Sequence, residues 1–142
     1  TIDISAFFIN NFNVLFNGYY VGYIMDGQSA LEPNVIVGII IFLLGMFINV
    51  SSDNKLISLR KDSAGYRIPH GGFFKYVSCP NYFGEIIEWF GYLIIAFNFP
   101  ALSFVLWTGF NLIPRALNHH DWYKENFKNY PKNRKAVIPY II

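Results

Sequence analysis

The chain has 142 residues, 54% of them hydrophobic and 20% aromatic, with only 14% charged, a formal net charge of +2 and a mean hydropathy of +0.31. Soluble domains carry about 25% charged residues, so the composition excludes an ordinary water-soluble domain and makes lipid the main solvent. No nucleic-acid partner is expected, and the single cysteine, Cys79, excludes an internal disulfide.

Four apolar stretches follow in chain order, at roughly 4–24, 34–50, 83–97 and 101–114. They predict an all-α, polytopic membrane helix bundle with about four spans. The first opens almost at Thr1, which is not a methionine; a chain that starts inside a membrane segment reads as the later part of a longer protein. The second, "NVIVGIIIFLLGMFINV", is uncharged throughout and close to the shortest length that crosses a hydrocarbon core about 30 Å thick. The third and fourth are joined only by "NFP", which predicts a tight helical hairpin broken at Pro100.

Charge placement orients the spans. Lys55, Arg60, Lys61, Arg67 and Lys75 lie between the second and third stretches. Arg115, Lys124, Lys128, Lys132, Arg134 and Lys135 follow the fourth, whereas the connection 25–33 holds only Asp26 and Glu32. The positive-inside rule places both basic segments in the cytoplasm. The "NVS" glycosylation pattern at 49–51 falls at the cytoplasmic end of the second span and is discounted. The basic tail is also suited to anionic lipid headgroups.

Polar residues recur at helical spacing where the spans meet the cytoplasm. Beyond the second span, Asn49, Asp53 and Arg60 share one helix face, with offsets of four and seven. The segment "GYRIPHGGFFKYVSCP" then predicts a loop folding back onto the helix ends, with Gly71 and Gly72 free to adopt positive φ. At the start of the third stretch, Asn81, Glu85, Glu88 and Tyr92 form a polar stripe. Carboxylates at such depth are costly and face a bundle interior or a wet cavity. After the fourth stretch, His119 and Tyr123 lie four and eight residues beyond Arg115, again on one face. A zinc site is not expected: adjacent histidines point apart, and no HExxH or cysteine pair completes a ligand set. Cys79 reads as a free thiol at a helix start rather than a nucleophile, for want of a nearby base.

These pieces describe a cytoplasm-facing pocket with arginines for phosphate, amides and carboxylates for hydroxyls and a carboxamide, and aromatic rings for stacking. A phosphate-bearing nucleotide cofactor fits that set, because guanidinium groups grip phosphate in a planar, often bidentate way.

The stretches "GYRIPHGGFFKYVSCPNYFGEIIEWFGY" and "PRALNHHDWYKENFKNYPKNRKAVIPYII" closely resemble the carboxyl-terminal region of the steroid 5-alpha-reductase family. "INVSSDNKLISLRK" and the "NGY" at 17–19 look like that family too. The resemblance implies a seven-helix membrane enzyme, in a eukaryotic cell at the endoplasmic reticulum, that uses NADPH to reduce the carbon–carbon double bond of a 3-oxo-4-ene steroid or related lipid enone. It also implies cofactor contacts by Asn49, Asp53 and Arg60 at a helix end, and by Tyr66 and Arg67 in the following loop. Asn81 and Glu85 on the next helix, and Arg115, His119 and Tyr123 near the terminus, complete the set.

Where some animal members have three consecutive histidines, this chain reads Asn118, His119, His120. The family's early helices, which address the steroid carbonyl, have no counterpart in the match. Residues 1–142 are therefore expected to be one carboxyl-terminal membrane domain that supplies the cofactor half of the chemistry, with the missing helices as its partner; no catalytic residue is assigned. The residues themselves leave other readings open. These are a reductase of a polyprenol or enoyl thioester, a membrane methyltransferase of the isoprenylcysteine type, whose cofactor lacks phosphates, and a truncated membrane module without activity.

Overall fold

The computed structural model describes residues 15, 18, 19, 32–61 and 66–142. Most of the apolar stretch at 4–24 lies outside the described residues, although Leu15, Gly18 and Tyr19 are helical. Three long helices make up most of the described chain: α1 (Pro33–Lys61), α2 (Pro80–Ala96) and α3 (Phe99–Asn126). The described residues are thus mostly helical, as the apolar runs predict.

Helix α1 begins on a proline, whose missing N–H costs nothing in a first turn, and runs without a break from the apolar stretch into "SSDNKLISLRK". Arg60 and Lys61 occupy its last turn, where positive charge complements the helix dipole. At 1.5 Å per residue its 29 residues extend about 43 Å. Among the described residues it is the one helix long and apolar enough by itself to cross a membrane. Its outer side chains, including Ile40, Leu43, Leu44 and Phe47, are exposed, as lipid-facing groups would be.

Helices α2 and α3 form the predicted hairpin, but the break falls earlier than Pro100. Phe97 closes α2 in the left-handed conformation (φ 40°, ψ 51°) and its N–H donates to Leu93 O. Asn98 then caps α3, its side-chain oxygen accepting from Ala101 N at 2.8 Å. Pro100 therefore sits inside the first turn of α3, where proline is tolerated. It begins a helix instead of ending one.

Among the described helices the α1–α2 contact is the closest, and glycine makes it so. Gly38 faces Gly91 and Gly45 faces Gly84, each seven residues from the next on its own helix, so the two rods run antiparallel with their backbones touching. A Cβ placed on Gly84 would lie 2.7 Å from Gly45 O, and one on Gly91 would lie 2.7 Å from Gly38 O. Close backbone approach through small residues is the usual way that helices pack where lipid replaces water as the competitor. Helix α3 packs on α2 more loosely, through contacts such as the edge-to-face pair Trp89–Phe104 at 4.5 Å.

Residues 66–79 cross the end of the bundle as the predicted fold-back. Gly71 and Gly72 have φ of 77° and 56°, a short 3-10 turn covers Gly72–Lys75, and Phe73 returns to meet Phe47 of α1. The tail after α3 comes back to the same place. A parallel bridge pairs Val77 with Lys135, with Ser78 N donating to Lys135 O at 2.8 Å and Cys79 N to Ala136 O at 3.0 Å. Cys79, Ala116, Ala136 and Val137 form a small core there, covered by Tyr82, Phe83, Ile113 and Leu117. The C-terminal ends of α1 and α3, the N-terminal end of α2 and both basic segments thus collect at one end of the bundle.

Candidate functional site

At that end lies a cavity of about 350 Å³, walled by Asp53, Leu56, Ile57 and Arg60 of α1 and by Tyr66 of the cross-over segment. Ser78, Cys79, Asn81 and Tyr82 around the start of α2, and His119 and Tyr123 of α3, complete the wall. Six residues singled out from sequence converge here: Asp53, Arg60, Tyr66, Asn81, His119 and Tyr123. They come from four separate segments, so the convergence is a property of the fold and not of local spacing.

Three further candidates sit one helical turn deeper. Asn49 precedes Asp53 by four residues, Glu85 follows Asn81 by four, and Arg115 precedes His119 by four. Because α1 and α3 run towards the cavity and α2 away from it, all three offsets lead to the same depth. Asn49 and Glu85 are half-buried and Arg115 is exposed; the charges of Arg115 and Asp53 both act on Glu85. Arg67 is exposed beside Tyr66 and takes no part in the cavity wall. Residues 62–65, between Arg60 and Tyr66, lie outside the described residues.

The wall includes residues that sequence reasoning did not propose as ligands: Leu56, Ile57, Ser78, Cys79 and Tyr82. Leu56 and Ile57 follow from the face shared by Asp53 and Arg60. Tyr82, next to Asn81, places its ring 6.2 Å from that of His119. Cys79 caps α2 as a free, buried thiol, and burial pushes its pKa up to about 12. It is therefore an inert wall, in keeping with the sequence reading.

On the α3 side the rings are layered. Tyr66 packs against Trp122 at 5.0 Å, and Tyr123 stacks on Tyr130 at 5.4 Å with the planes 10° apart. Burial raises the pKa of the Tyr123 phenol above the ordinary tyrosine value, so its hydroxyl keeps its proton and is available as a donor. Arg134 is buried behind this stack, donating Nη2–H to Pro69 O at 3.1 Å with its guanidinium over Tyr130. The two histidines diverge as expected: His119 faces the cavity, while His120 is buried in the packing behind it.

Chemically, the cavity offers one guanidinium, one carboxylate, one carboxamide, an imidazole and several phenols around a partly apolar floor. Its volume is at the lower end for small-molecule pockets, enough for one end of a dinucleotide. The donor set fits that kind of ligand: Arg60 for phosphate, Asp53 and Asn81 for hydroxyls or a carboxamide, and Tyr66, His119 and Tyr123 for a flat ring.

Fold and site together define a class: a helical, lipid-compatible chain whose polar pocket is assembled from helix ends at one side of an apolar bundle. The whole chain, residues 1–142, matches the family model described as 3-oxo-5-alpha-steroid 4-dehydrogenase, and the chain belongs to that family. Steroid 5-alpha-reductase DET2 of Gossypium hirsutum is 46% identical over 145 residues, which cover 96% of this chain and 56% of that protein. The protein of the same name in Arabidopsis thaliana is 42% identical, with 99% and 56% covered. Human 3-oxo-5-alpha-steroid 4-dehydrogenase 2 is 43% identical, with 91% and 52% covered. The chain spans about half the length of the curated relatives it matches.

Proposed function

We propose that this chain forms the cofactor-holding part of an NADPH-dependent reductase acting on the carbon–carbon double bond of a 3-oxo-4-ene steroid or a related lipid enone. The observation that carries the reading is the convergence of Asp53, Arg60, Tyr66, Asn81, His119 and Tyr123 on one cavity, in a chain of the 3-oxo-5-alpha-steroid 4-dehydrogenase family. When bound, NADPH supplies the hydride that adds to the β-carbon of the enone.

Each residue has a task that its chemistry suits. Arg60 binds phosphate as a planar donor fork. Asp53 and Asn81 hold sugar hydroxyls and the carboxamide. Tyr66, His119 and Tyr123 flank the rings. Asn49, Glu85 and Arg115, a turn deeper, orient the reacting end, where Glu85 accepts hydrogen bonds and Arg115 balances its charge. Arg67 reaches the ligand from outside the wall. Leu56, Ile57 and Tyr82 exclude water from the floor, which strengthens every polar contact made there.

In this reading the bundle is polytopic. Helix α1 spans the bilayer, the α2–α3 hairpin returns through it, and the cavity end and both basic segments face the cytoplasm, at the endoplasmic reticulum in a eukaryotic cell. Upstream helices of the same enzyme complete the substrate side and polarise the carbonyl. A titration of the membrane-embedded protein with NADPH, followed by turnover on a panel of enones, tests the reading; no NADPH binding by the protein with its upstream helices present refutes it.

A further inference from the structure

Ser78 lies in the cavity wall, yet its hydroxyl is fully engaged behind it. Oγ is 2.6 Å from His120 Nδ1, 2.5 Å from Tyr130 Oη and 3.0 Å from the carbonyl oxygen of Lys135. A hydroxyl has one proton to give and two lone pairs. The carbonyl only accepts, so the serine proton goes to Lys135 O, and the lone pairs are filled by Tyr130 O–H and by an N–H on His120 Nδ1. The network therefore assigns the Nδ1–H form to His120, and nothing on Ser78 is left for a ligand.

Each member of this cluster backs a residue that faces the cavity. Ser78 stands three residues before Asn81, His120 is the chain neighbour of His119, and Tyr130 carries Tyr123 on its ring at 5.4 Å. The three members come from the cross-over segment, from α3 and from the tail. Beside them the backbone ladder closes through Lys135 N to Tyr76 O at 3.0 Å.

We propose that Ser78, His120 and Tyr130 form a latch that pins the tail to the cavity wall and positions Asn81, His119 and Tyr123 for the cofactor, and that a second proton on His120, taken up at Nε2 with the Nδ1–H bond still in place, loosens it by putting a positive charge into buried packing beside Lys124, Arg134 and Lys135. These are positioning residues, and the proposal rests on the NADPH reading above. His120 is buried, at 7% exposure. The groups around it are Asp121 and Lys124 of its own helix, Tyr130, Arg134 and Lys135 of the tail, and Ser78; among the charged ones only Asp121 favours an imidazolium. Burial, aided by Lys124, Arg134 and Lys135, holds the His120 pKa below the ordinary imidazole value of 6.5. A group depressed in the folded state contributes its stability above the unfolded value and loses it as pH falls through 6.5 towards the folded value. The latch is thus closed at neutral pH and loosens in acid.

The test uses the full chain in membranes with two readouts: NADPH affinity, and amide hydrogen exchange of segments 76–79 and 134–137 corrected for intrinsic rate. His120→Phe removes the donor and should weaken NADPH binding about tenfold, the scale of one buried partner left unpaired, and speed exchange in both segments. His120→Asn keeps an N–H at the Nδ1 position without a titratable ring. It should bind NADPH within about threefold of the parent at neutral pH and show no acid loss between pH 8 and 5.5, where the parent loses affinity and protection. Parent-like behaviour of His120→Phe in both readouts, or an acid loss retained in His120→Asn, overturns the latch. If His120→Phe does not accumulate, the pH profile of His120→Asn decides alone. If the parent binds no NADPH, the cofactor reading fails, while hydrogen exchange still decides the latch.

Discussion

Replacing Gly84 with alanine should push α1 and α2 apart and weaken both the fold and the site. A Cβ at Gly84 would lie 2.5 Å from Asn49 N, 2.7 Å from Gly45 O and 3.0 Å from Asn49 Cα. All three are backbone atoms, so no side chain can swing aside, and the helices must separate by roughly 1 Å to restore ordinary contact. Overpacking of this kind costs about 1–3 kcal/mol, against about 1 kcal/mol gained from the higher helix propensity of alanine. The net loss is up to roughly 2 kcal/mol. The separation also moves Asn49 and Asp53 away from Asn81 and Glu85, so cofactor affinity should fall along with stability. Gly109 provides the control: a Cβ there meets only Ile113 Cδ1, at 4.0 Å, so Gly109→Ala should be neutral or mildly stabilising. Denaturant titration in a membrane mimetic, with NADPH affinity measured on the same samples, compares the two. If Gly84→Ala is as stable as Gly109→Ala, backbone contact between α1 and α2 does not govern the fold.

The carboxylates of α2 should separate in a turnover assay of the enzyme with its upstream helices. Glu85→Gln, one turn from Asn81, should lower kcat/KM by about tenfold or more, and Glu88→Gln by about threefold or less; equal tolerance would remove Glu85 from the site. Arg60→Ala should weaken NADPH binding about tenfold or more and NADH binding much less, since a guanidinium fork suits an additional phosphate. A parent protein that binds the two cofactors equally would contradict that assignment. Cys79, buried and with its thiol pushed up to about 12, should resist maleimide at pH 7 in the folded protein and react once it is denatured. Rapid labelling of the native state would show the thiol to be open to solvent.

Much of this architecture is written locally. The uncharged run at 34–50 and the polar face continuing through Asp53 and Arg60 specify one unbroken α1, and "NFP" marks a hairpin. The break still falls at Phe97 and Asn98, because a cap that accepts from Ala101 N ends the chain reversal and proline is harmless in the first turn after it. Asn49, Asp53 and Arg60 on α1, and Asn81 and Glu85 on α2, sit at spacings that any helix imposes. What brings them together was not legible. Gly38, Gly45, Gly84 and Gly91 look like filler in apolar runs, since a glycine's value at a crossing depends on what another helix places opposite it. Ser78 gave no signal either, because its partners His120 and Tyr130 are 42 and 52 residues away. Arg67 matched on family likeness alone, and its exposed position keeps it out of the wall.

The return of the tail to the start of α2 also sets a timetable for biosynthesis. Ser78 and Lys135 are 57 residues apart, and at about 5–20 residues per second a ribosome needs roughly 3 to 11 s to make that interval. Throughout it, the backbone N–H groups of Ser78 and Cys79 lack the carbonyls that they later meet, while the helical hairpin between them is being made. The pocket is therefore the last part of the described fold to be completed. Until then its half-built wall is open to chaperones, and a chain cut short just before Lys135 holds all three long helices around a pocket that never closes.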